Sequence, residues 1–121
     1  MSKLLKKKIL VVDDNPGVLF AIKAALESEG YDVRATKSFE GIASLKNNLP
    51  DLIILDVFLE DQDGRDVARE LKAHKWSACI PIVLLSAYPG IDKLATEAGA
   101  DDFLAKPFEL DTLLALVSKY T

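Results

Sequence analysis

This 121-residue chain contains five short runs rich in apolar residues, and charged or hydroxyl side chains directly follow four of them. They are Asp13 and Asp14 after the first run, Asp56 after the third, Ser86 after the fourth and Lys106 after the fifth. Two like charges ~4 Å apart repel by about 4 kcal/mol at an effective dielectric of about 20. Three carboxylates in one place would therefore need positive charge to offset them, and Lys106 supplies a single charge.

A hard divalent cation bound by oxygen is the expected source of the remaining positive charge. Mg²⁺ suits carboxylates, water and a substrate phosphate, and Mn²⁺ could take the same ligands. A cation held by acids beside a lysine and a hydroxyl can neutralise the oxygens of a transferring phosphoryl group. A carboxylate can itself be the attacking nucleophile. These residue types therefore predict phosphoryl transfer, provided that the fold brings them together.

The apolar runs alternate with helical stretches, and this alternation indicates the elements that must position the polar residues. Continuous apolar runs are typical of strands buried on both faces of a parallel sheet. The runs predict five strands, at residues 9–12, 31–36, 52–55, 80–85 and 102–105. Alternating strands and helices predict an α/β fold, an open doubly wound parallel sheet with helices on both faces. The carboxyl ends of such strands lie along one edge, so the polar residues should share one crevice.

Capping residues and apolar spacing predict a helix after each strand. The second of these helices, with Phe39, Ile42 and Leu45 on its apolar face, is predicted to continue to Pro50. The predicted helices begin near Asn15-Pro16, Ser38, Asp63, Ile91 and Leu110.

The composition indicates one globular domain, residues 1–121, and limits its partners. Hydrophobic residues make up 50% of the chain and charged residues 28%, which is too apolar for disorder. The net charge of −4 argues against nonspecific binding to nucleic acid or to an anionic membrane. The single cysteine excludes an internal disulfide framework. The apolar run after the basic residues 3–8 is too short for a signal peptide or a membrane span, so we predict a cytoplasmic location.

At these residues the sequence resembles the receiver domain of two-component response regulators, the CheY-like family. The matching segments are Val11-Val12-Asp13-Asp14-Asn15, Leu55-Asp56 with Asp63-Gly64 downstream, Leu85-Ser86-Ala87, and Gly99-Ala100-Asp101-Asp102-Phe103-Leu104-Ala105-Lys106-Pro107-Phe108. These segments occur in order at the predicted strand ends, and the resemblance runs from about residue 8 to residue 117. It implies a flavodoxin-like, five-stranded (βα)5 fold with strand order 2-1-3-4-5.

The resemblance also implies a role for each acidic residue of the crevice. Asp56 would accept a phosphoryl group from a phosphohistidine on a sensor histidine kinase or a phosphotransfer protein. Asp13 and Asp14 would hold Mg²⁺, with Asp56 and the backbone carbonyl of Phe58 as further ligands. The chain would then catalyse its own phosphorylation and dephosphorylation without turning over a substrate as an enzyme does.

The remaining polar residues would bind the phosphoryl group and transmit its presence. Lys106 would pair with one phosphoryl oxygen and Ser86 would donate a hydrogen bond to another, and the resemblance implies a cis peptide bond between Lys106 and Pro107. Phe103 occupies the aromatic switch position of the family, although simple core packing explains a phenylalanine there equally well.

The resemblance further implies a signalling role through an output face. This face would consist of the fourth predicted helix, the fifth strand and the fifth helix, and it would meet a downstream effector or a fused output domain. We expect no direct contact with nucleic acid or membrane. The chain is expected to be a monomer or a weak dimer that depends on phosphorylation.

Two features depart from the family pattern. Phe58 and Tyr88 lie two residues after Asp56 and Ser86, at positions that flank the acyl phosphate in this family, and two large aromatic rings there predict slow autodephosphorylation. Glu60 replaces the proline usually found in the loop after the acceptor, a change that bears on the rigidity of this loop.

Three other functions remain as alternatives. A phosphorylation-independent docking module, or pseudo-receiver, would be favoured by loss of the acidic or lysine positions, and none is lost. A phosphatase that uses an aspartyl-phosphate usually carries a second aspartate where this chain has Phe58. A flavin or dinucleotide binder needs a phosphate-binding loop after the first strand, but residues 13–16 would repel a phosphate in the absence of a metal.

Overall fold

The structure is a computed structural model that describes residues 6–121. The first five residues, part of the basic start rejected above as a signal peptide, lie outside the described residues. Five parallel strands form one sheet in the order β2-β1-β3-β4-β5, as predicted. The strands are β1 (Lys8–Val12), β2 (Asp32–Thr36), β3 (Leu52–Asp56), β4 (Ile82–Ser86) and β5 (Asp102–Ala105).

Four α-helices cover the two faces of the sheet: α1 (Pro16–Ser28), α2 (Gly64–Ala73), α3 (Ile91–Ala98) and α4 (Leu110–Tyr120). The central strands β1, β3 and β4 are apolar except at one terminal residue each, because both of their faces are covered. Leu55 packs in a core layer with Leu71 of α2 and Ala95 of α3. Residues of the opposite face, such as Ile54, pack in a second layer with residues of α1 and α4, such as Ile22. The predicted fold class is therefore confirmed.

The predicted helix starts at Asn15 and Asp63 are confirmed by their capping hydrogen bonds. Asn15 Oδ1 accepts a hydrogen bond from the backbone N–H of Val18 at 3.0 Å, and Asp63 Oδ1 accepts one from Arg65 at 2.9 Å. Each cap satisfies a backbone donor that has no partner inside its helix. Both helices therefore begin directly beside the carboxyl-terminal edge of the sheet.

The predicted second α-helix, from Ser38 to Pro50, is wrong. Within this segment the structure forms one short 3-10 helix, Ile42–Leu45. Gly41 precedes it with φ of 100°, in the left-handed region that ends regular helical geometry. The backbone N–H and C=O of Phe39 are both bonded to the side chain of Gln62, so neither enters a helix. Residues 6–121 thus form four α-helices and not the five of a complete (βα)5 repeat.

Among residues 6–121, no helix is long and apolar enough to cross a membrane. The cytoplasmic location stays a prediction from the sequence.

Candidate functional site

Three carboxylates meet at the carboxyl-terminal edge of the sheet. One oxygen from each of Asp13, Asp14 and Asp56 lies within 4.8 Å of the other two. Asp13 is fully buried and Asp56 is 6% exposed, whereas Asp14 lies nearer to solvent. The fold therefore brings together carboxylates that lie up to 43 positions apart in the sequence.

Backbone hydrogen bonds hold the aspartates at this edge. Asp56 is the last residue of β3, while Asp13 directly follows β1 and its N–H donates to the carbonyl of Thr36 at 3.1 Å. The Oδ1 atom of Asp13 accepts a hydrogen bond from the N–H of Asn15 at 2.9 Å. Since Asn15 also caps α1, the start of this helix and the orientation of the Asp13 carboxylate are fixed by the same short segment.

Lys106 brings a positive charge to the carboxylates from the neighbouring end of β5. Its backbone N–H donates to the carbonyl of Ser86 at 2.9 Å, which continues the pairing of β4 with β5. Its Nζ lies 2.7 Å from Asp13 Oδ2 and 3.4 Å from Asp56 Oδ1. The contact with Asp13 Oδ2 is an ion pair without good hydrogen-bond alignment, so this buried oxygen accepts no hydrogen bond.

The charges at this edge shift the pKa values of their neighbours. Burial, and then the negative charge of Asp13, raise the pKa of Asp56 to about 6, although Lys106 opposes the shift. Burial lowers the pKa of Lys106, but its contact with Asp13 and the charge of Asp56 outweigh burial and raise this pKa above its ordinary value. Lys106 therefore stays charged at neutral pH, and it does not fully offset the repulsion between the carboxylates.

The donor set fits a hard divalent cation. Three carboxylates and one ammonium leave two uncompensated negative charges if all four groups are ionised. Mg²⁺ prefers carboxylate oxygens and keeps water or phosphate in its remaining positions. The raised pKa of Asp56 indicates that the site favours additional positive charge, because Lys106 alone does not offset the burial of this carboxylate and the charge of Asp13.

Ser86 and Pro107 lie at the same edge, whereas Phe103 faces away from the core. Ser86 is buried as the last residue of β4, and its Oγ accepts a hydrogen bond from the N–H of Tyr88 at 2.9 Å. The hydroxyl can still donate its proton to a ligand. The peptide bond between Lys106 and Pro107 is cis. Phe103 is 38% exposed on the edge strand β5, which argues against the core-packing alternative.

Two aromatic rings link the loops that follow β3 and β4. The rings of Phe58 and Tyr88 meet edge to face with their centroids 5.7 Å apart, and each side chain is about half exposed. The guanidinium of Arg65 lies 5.9 Å from the Phe58 ring and is held by hydrogen bonds to Asp63. These hydrogen bonds lower the pKa of the Asp63 carboxyl. The sequence pattern gave no signal for the role of Arg65, because its contacts depend on how the loop folds.

Gly64 allows the start of α2 to approach the backbone of Asp56. Its N–H donates to the carbonyl of Val57 at 2.6 Å, and a Cβ at this position would lie 2.3 Å from the carbonyl oxygen of Asp56. A larger residue would therefore push the helix away from the acidic edge.

An apolar groove opens beside the acidic edge, between α1 and the segment that follows β5. It has a volume of about 560 Å³. Lys106 and Asn15 border it on the side of the carboxylates. Its apolar lining comes from Val18, Ala21, Pro107, Phe108 and Leu110.

The chain is similar in sequence to a known protein family and to curated proteins. The family model described as "Response regulator receiver domain" matches residues 9–118. The DNA-binding dual master transcriptional regulator RpaA of Synechocystis is 39% identical over 113 residues, which are 91% of this chain and 47% of that protein. The alkaline phosphatase synthesis transcriptional regulatory protein PhoP of Bacillus subtilis is 41% identical over 107 residues, 86% of this chain and 44% of that protein.

The structural comparison agrees with the sequence comparison. The crystal structure of a putative response regulator from Chloroflexus aurantiacus superposes with a TM-score of 0.89 and 33% identity, and covers 96% of this chain and 98% of that one. The chain spans about half the length of the curated relatives that it matches.

Proposed function

This chain belongs to the response regulator receiver domain family, and we propose that it is a phosphoacceptor whose nucleophile is the carboxylate of Asp56. Receiver domains of this family bind Mg²⁺ at an acidic site and are generally not turnover enzymes. The observation that carries the proposal is the meeting of Asp13, Asp14 and Asp56 with Lys106 at one edge of the sheet.

In the proposed reaction, an oxygen of Asp56 attacks the phosphorus of a phosphohistidine. A bond between this oxygen and phosphorus forms, the bond between nitrogen and phosphorus breaks, and the histidine nitrogen takes up a proton. The attacking carboxylate must be ionised, and a pKa of about 6 leaves most of it ionised at pH 7. A bound cation would lower the pKa of Asp56 and so increase the ionised fraction.

The other residues of the site would stabilise the transferring group. Asp13 and Asp14, with Asp56 and the carbonyl of Phe58, would hold Mg²⁺, which supplies charge neutralisation on the phosphoryl oxygens when bound. Lys106 would neutralise a second phosphoryl oxygen, since its Nζ already lies 3.4 Å from Asp56 Oδ1. Ser86 would donate a hydrogen bond to a third, because its hydroxyl keeps a free proton while it accepts from Tyr88.

We propose a histidine kinase or a phosphotransfer protein as the donor. The outer face of α1 is unusually apolar, with Phe20 77% exposed, and the groove beside Lys106 adjoins this helix. An apolar surface next to the acceptor would let the donor dock its histidine against Asp56. The output face would comprise α3, β5 and α4, with Phe103 as its switch residue.

The test is phosphorylation by a small donor. Incubation with acetyl phosphate and Mg²⁺ should add the mass of one phosphoryl group to the wild type and none to Asp56→Asn. Chelation of Mg²⁺ should abolish the addition. A wild-type chain that stays unmodified while folded and supplied with Mg²⁺ would contradict the proposal and favour the pseudo-receiver.

A further inference from the structure

The side-chain amide of Gln62 forms a double hydrogen bond with the backbone of Phe39. Its Oε1 accepts from the N–H of Phe39 at 2.8 Å, and its Nε2 donates to the carbonyl of Phe39 at 2.7 Å. The Gln62 amide thus bonds both the N–H and the C=O of one residue, as a neighbouring β-strand would do. This contact, called here the amide clamp, joins two segments 23 positions apart in the sequence.

The clamp replaces helical hydrogen bonds in the segment before β3. Phe39 is 6% exposed and packs in the same core layer as Leu59, which belongs to the loop that carries Gln62. Beyond Phe39, the segment contains a single 3-10 turn introduced by Gly41. Burial in a shared core layer and the amide clamp therefore hold this segment and the loop together.

The loop that carries Gln62 also carries the proposed metal-ligating carbonyl. Residues 57–63 follow Asp56 directly, and Phe58 pairs with Asp63 in an antiparallel bridge that closes the loop into a narrow turn. Gln62 is the neighbour of Asp63 in this turn. A displacement of Gln62 therefore acts through Asp63 on the backbone of Phe58.

We propose that Gln62 is a positioning residue of the magnesium site. The amide clamp holds the loop 57–63 against the buried Phe39, and this would fix the backbone of Phe58, whose carbonyl is a proposed ligand of the cation. The inference rests on the proposed function, because it assigns to Gln62 a part in the Mg²⁺ site of Asp56. Groups that orient metal ligands typically contribute 10- to 100-fold to metal affinity.

If the clamp positions a metal ligand, Mg²⁺ binding and the stability of the clamp must affect each other. If the clamp strengthens Mg²⁺ binding by a given factor, Mg²⁺ must stabilise the clamp by the same factor. The N–H of Phe39 reports the clamp directly, since its acceptor is Gln62 Oε1. A clamp that merely stabilised the fold would lack this response in its local opening, although bound Mg²⁺ slows global unfolding for every amide.

The first experiment measures the Mg²⁺ affinity of Gln62→Met by isothermal titration calorimetry. Methionine has a similar length and no charge, and it removes both hydrogen bonds of the clamp. We expect the Kd for Mg²⁺ to rise about tenfold. The matched control is Ser44→Ala, which removes a hydrogen bond to the carbonyl of Gly41 in the same segment without touching the loop. Equal Mg²⁺ affinities of Gln62→Met and the wild type would overturn the inference.

The second experiment needs no variant, so it decides the matter even if Gln62→Met fails to fold. Amide hydrogen exchange of the wild type is followed by NMR with and without saturating Mg²⁺. We expect exchange at Phe39 to slow about tenfold, in line with the affinity change. The comparison uses amides that exchange by local opening, because bound Mg²⁺ slows every amide that exchanges through global unfolding. Among these, exchange at Ile80, whose N–H donates to Ser77 in the loop before β4, should stay constant. An unchanged rate at Phe39 in the presence of bound Mg²⁺ would contradict the inference.

These outcomes separate the inference from the proposed function. If the wild type binds no Mg²⁺ and resists phosphorylation at Asp56, the proposed function fails. If the wild type binds Mg²⁺ and accepts the phosphoryl group while Phe39 and Gln62→Met show no effect, the role of Gln62 alone fails.

Discussion

Each edge of the sheet pairs a lysine with a carboxylate, and the two pairs differ in how completely their polar groups are satisfied. At the amino-terminal edge, Lys72 donates to the carbonyls of Ala78 (3.1 Å) and Ile80 (2.9 Å) and to Asp101 Oδ2 (2.8 Å). The same carboxylate oxygen accepts from the N–H of Ile82 at 2.8 Å. One ammonium thus uses three donors on three acceptors, and it has one carboxylate as its counter-ion.

At the carboxyl-terminal edge, one ammonium faces an excess of carboxylate. Lys106 lies near Asp13 and Asp56, and Asp14 adds a further negative charge to the cluster. Asp13 Oδ2 is buried without an aligned hydrogen bond. A buried polar group without a full set of partners costs stability, so a protein keeps it where a ligand completes the set. The polar groups of the amino-terminal pair are thus satisfied within the fold, whereas the carboxyl-terminal cluster keeps an excess of negative charge that the proposed cation would neutralise.

Replacing each lysine in turn should reveal the largest difference between the two edges. Lys106→Met should slow phosphorylation by acetyl phosphate about 100-fold, because a preorganised donor to the transferring oxygens is lost. Lys72→Met should leave the rate unchanged and lower the free energy of unfolding by about 1–3 kcal/mol, since its acceptors lose their partner. The rate is measured by intact mass and the stability by urea denaturation. Equal effects of the two variants on the rate would contradict the distinction.

Mg²⁺ should stabilise the protein through the carboxyl-terminal edge alone. At a free concentration of 100 times its Kd, the cation should add about 2.7 kcal/mol to the free energy of unfolding. Asp14→Asn should weaken this gain, because it removes the negative charge of a proposed metal ligand. Asp101→Asn, the matched change at the other edge, should lower the basal stability and keep the gain. The measurement is the urea midpoint with Mg²⁺ and with a chelator, and a gain that survives in Asp14→Asn and vanishes in Asp101→Asn would reverse the assignment.

The pH dependence of stability should reveal the repulsion at Asp56. Its pKa in the folded protein, about 6, lies above the ordinary 3.8, so the folded state holds this proton more tightly than the unfolded state. The contribution of Asp56 is therefore fully present below about pH 4 and is lost as the pH rises through 6. Without Mg²⁺ at pH 7, Asp56→Asn should be more stable than the wild type by about 1–2 kcal/mol, after allowance for solvent on the open side of the site.

The two unfolding curves should converge below pH 4, where Asp56 is protonated in both states. Urea denaturation at several pH values in a chelator measures the difference. A constant difference across this range would mean that the pKa of Asp56 is ordinary.

The aromatic pair should have the smallest effect. Phe58→Ser combined with Tyr88→Ser should shorten the lifetime of the acyl phosphate three- to tenfold, about 0.7–1.4 kcal/mol on the barrier, because water then reaches the phosphoryl group more easily. Phe20→Ser, at an exposed aromatic on α1, should leave the lifetime unchanged. The lifetime is followed by mass after the donor is removed, and a double variant that matches the wild type would remove the shielding role.

The acidic edge can be predicted from the sequence because a few physical rules determine which residues lie there. Apolar runs mark buried strands, parallel strands share a carboxyl-terminal edge, and the residue after each run must lie there. These rules predict from the sequence alone that Asp13, Asp56 and Lys106 lie together. The 3-10 turn before β3 was not accessible in this way, since Ser38 and the apolar spacing after it also fit a helix.

The side chain that competes with this helix lies in a distant part of the chain. Gln62 satisfies the backbone of Phe39 from 23 positions away, and a glutamine in a loop carries no pattern that indicates such a partner. No sequence pattern indicates the contact of Arg65 with the Phe58 ring either. Local rules therefore predict elements and their edges, whereas individual side-chain contacts between loops depend on the folded structure.

The most direct test of the central claim identifies the phosphorylated residue chemically. After reaction with acetyl phosphate and Mg²⁺, borohydride reduces an acyl phosphate to an alcohol, and peptide mass spectrometry locates the reduced side chain. We expect modification at Asp56 that requires Mg²⁺ and is absent when a chelator removes the cation. Modification at another carboxylate, or modification at Asp56 that persists in the chelator, would contradict it.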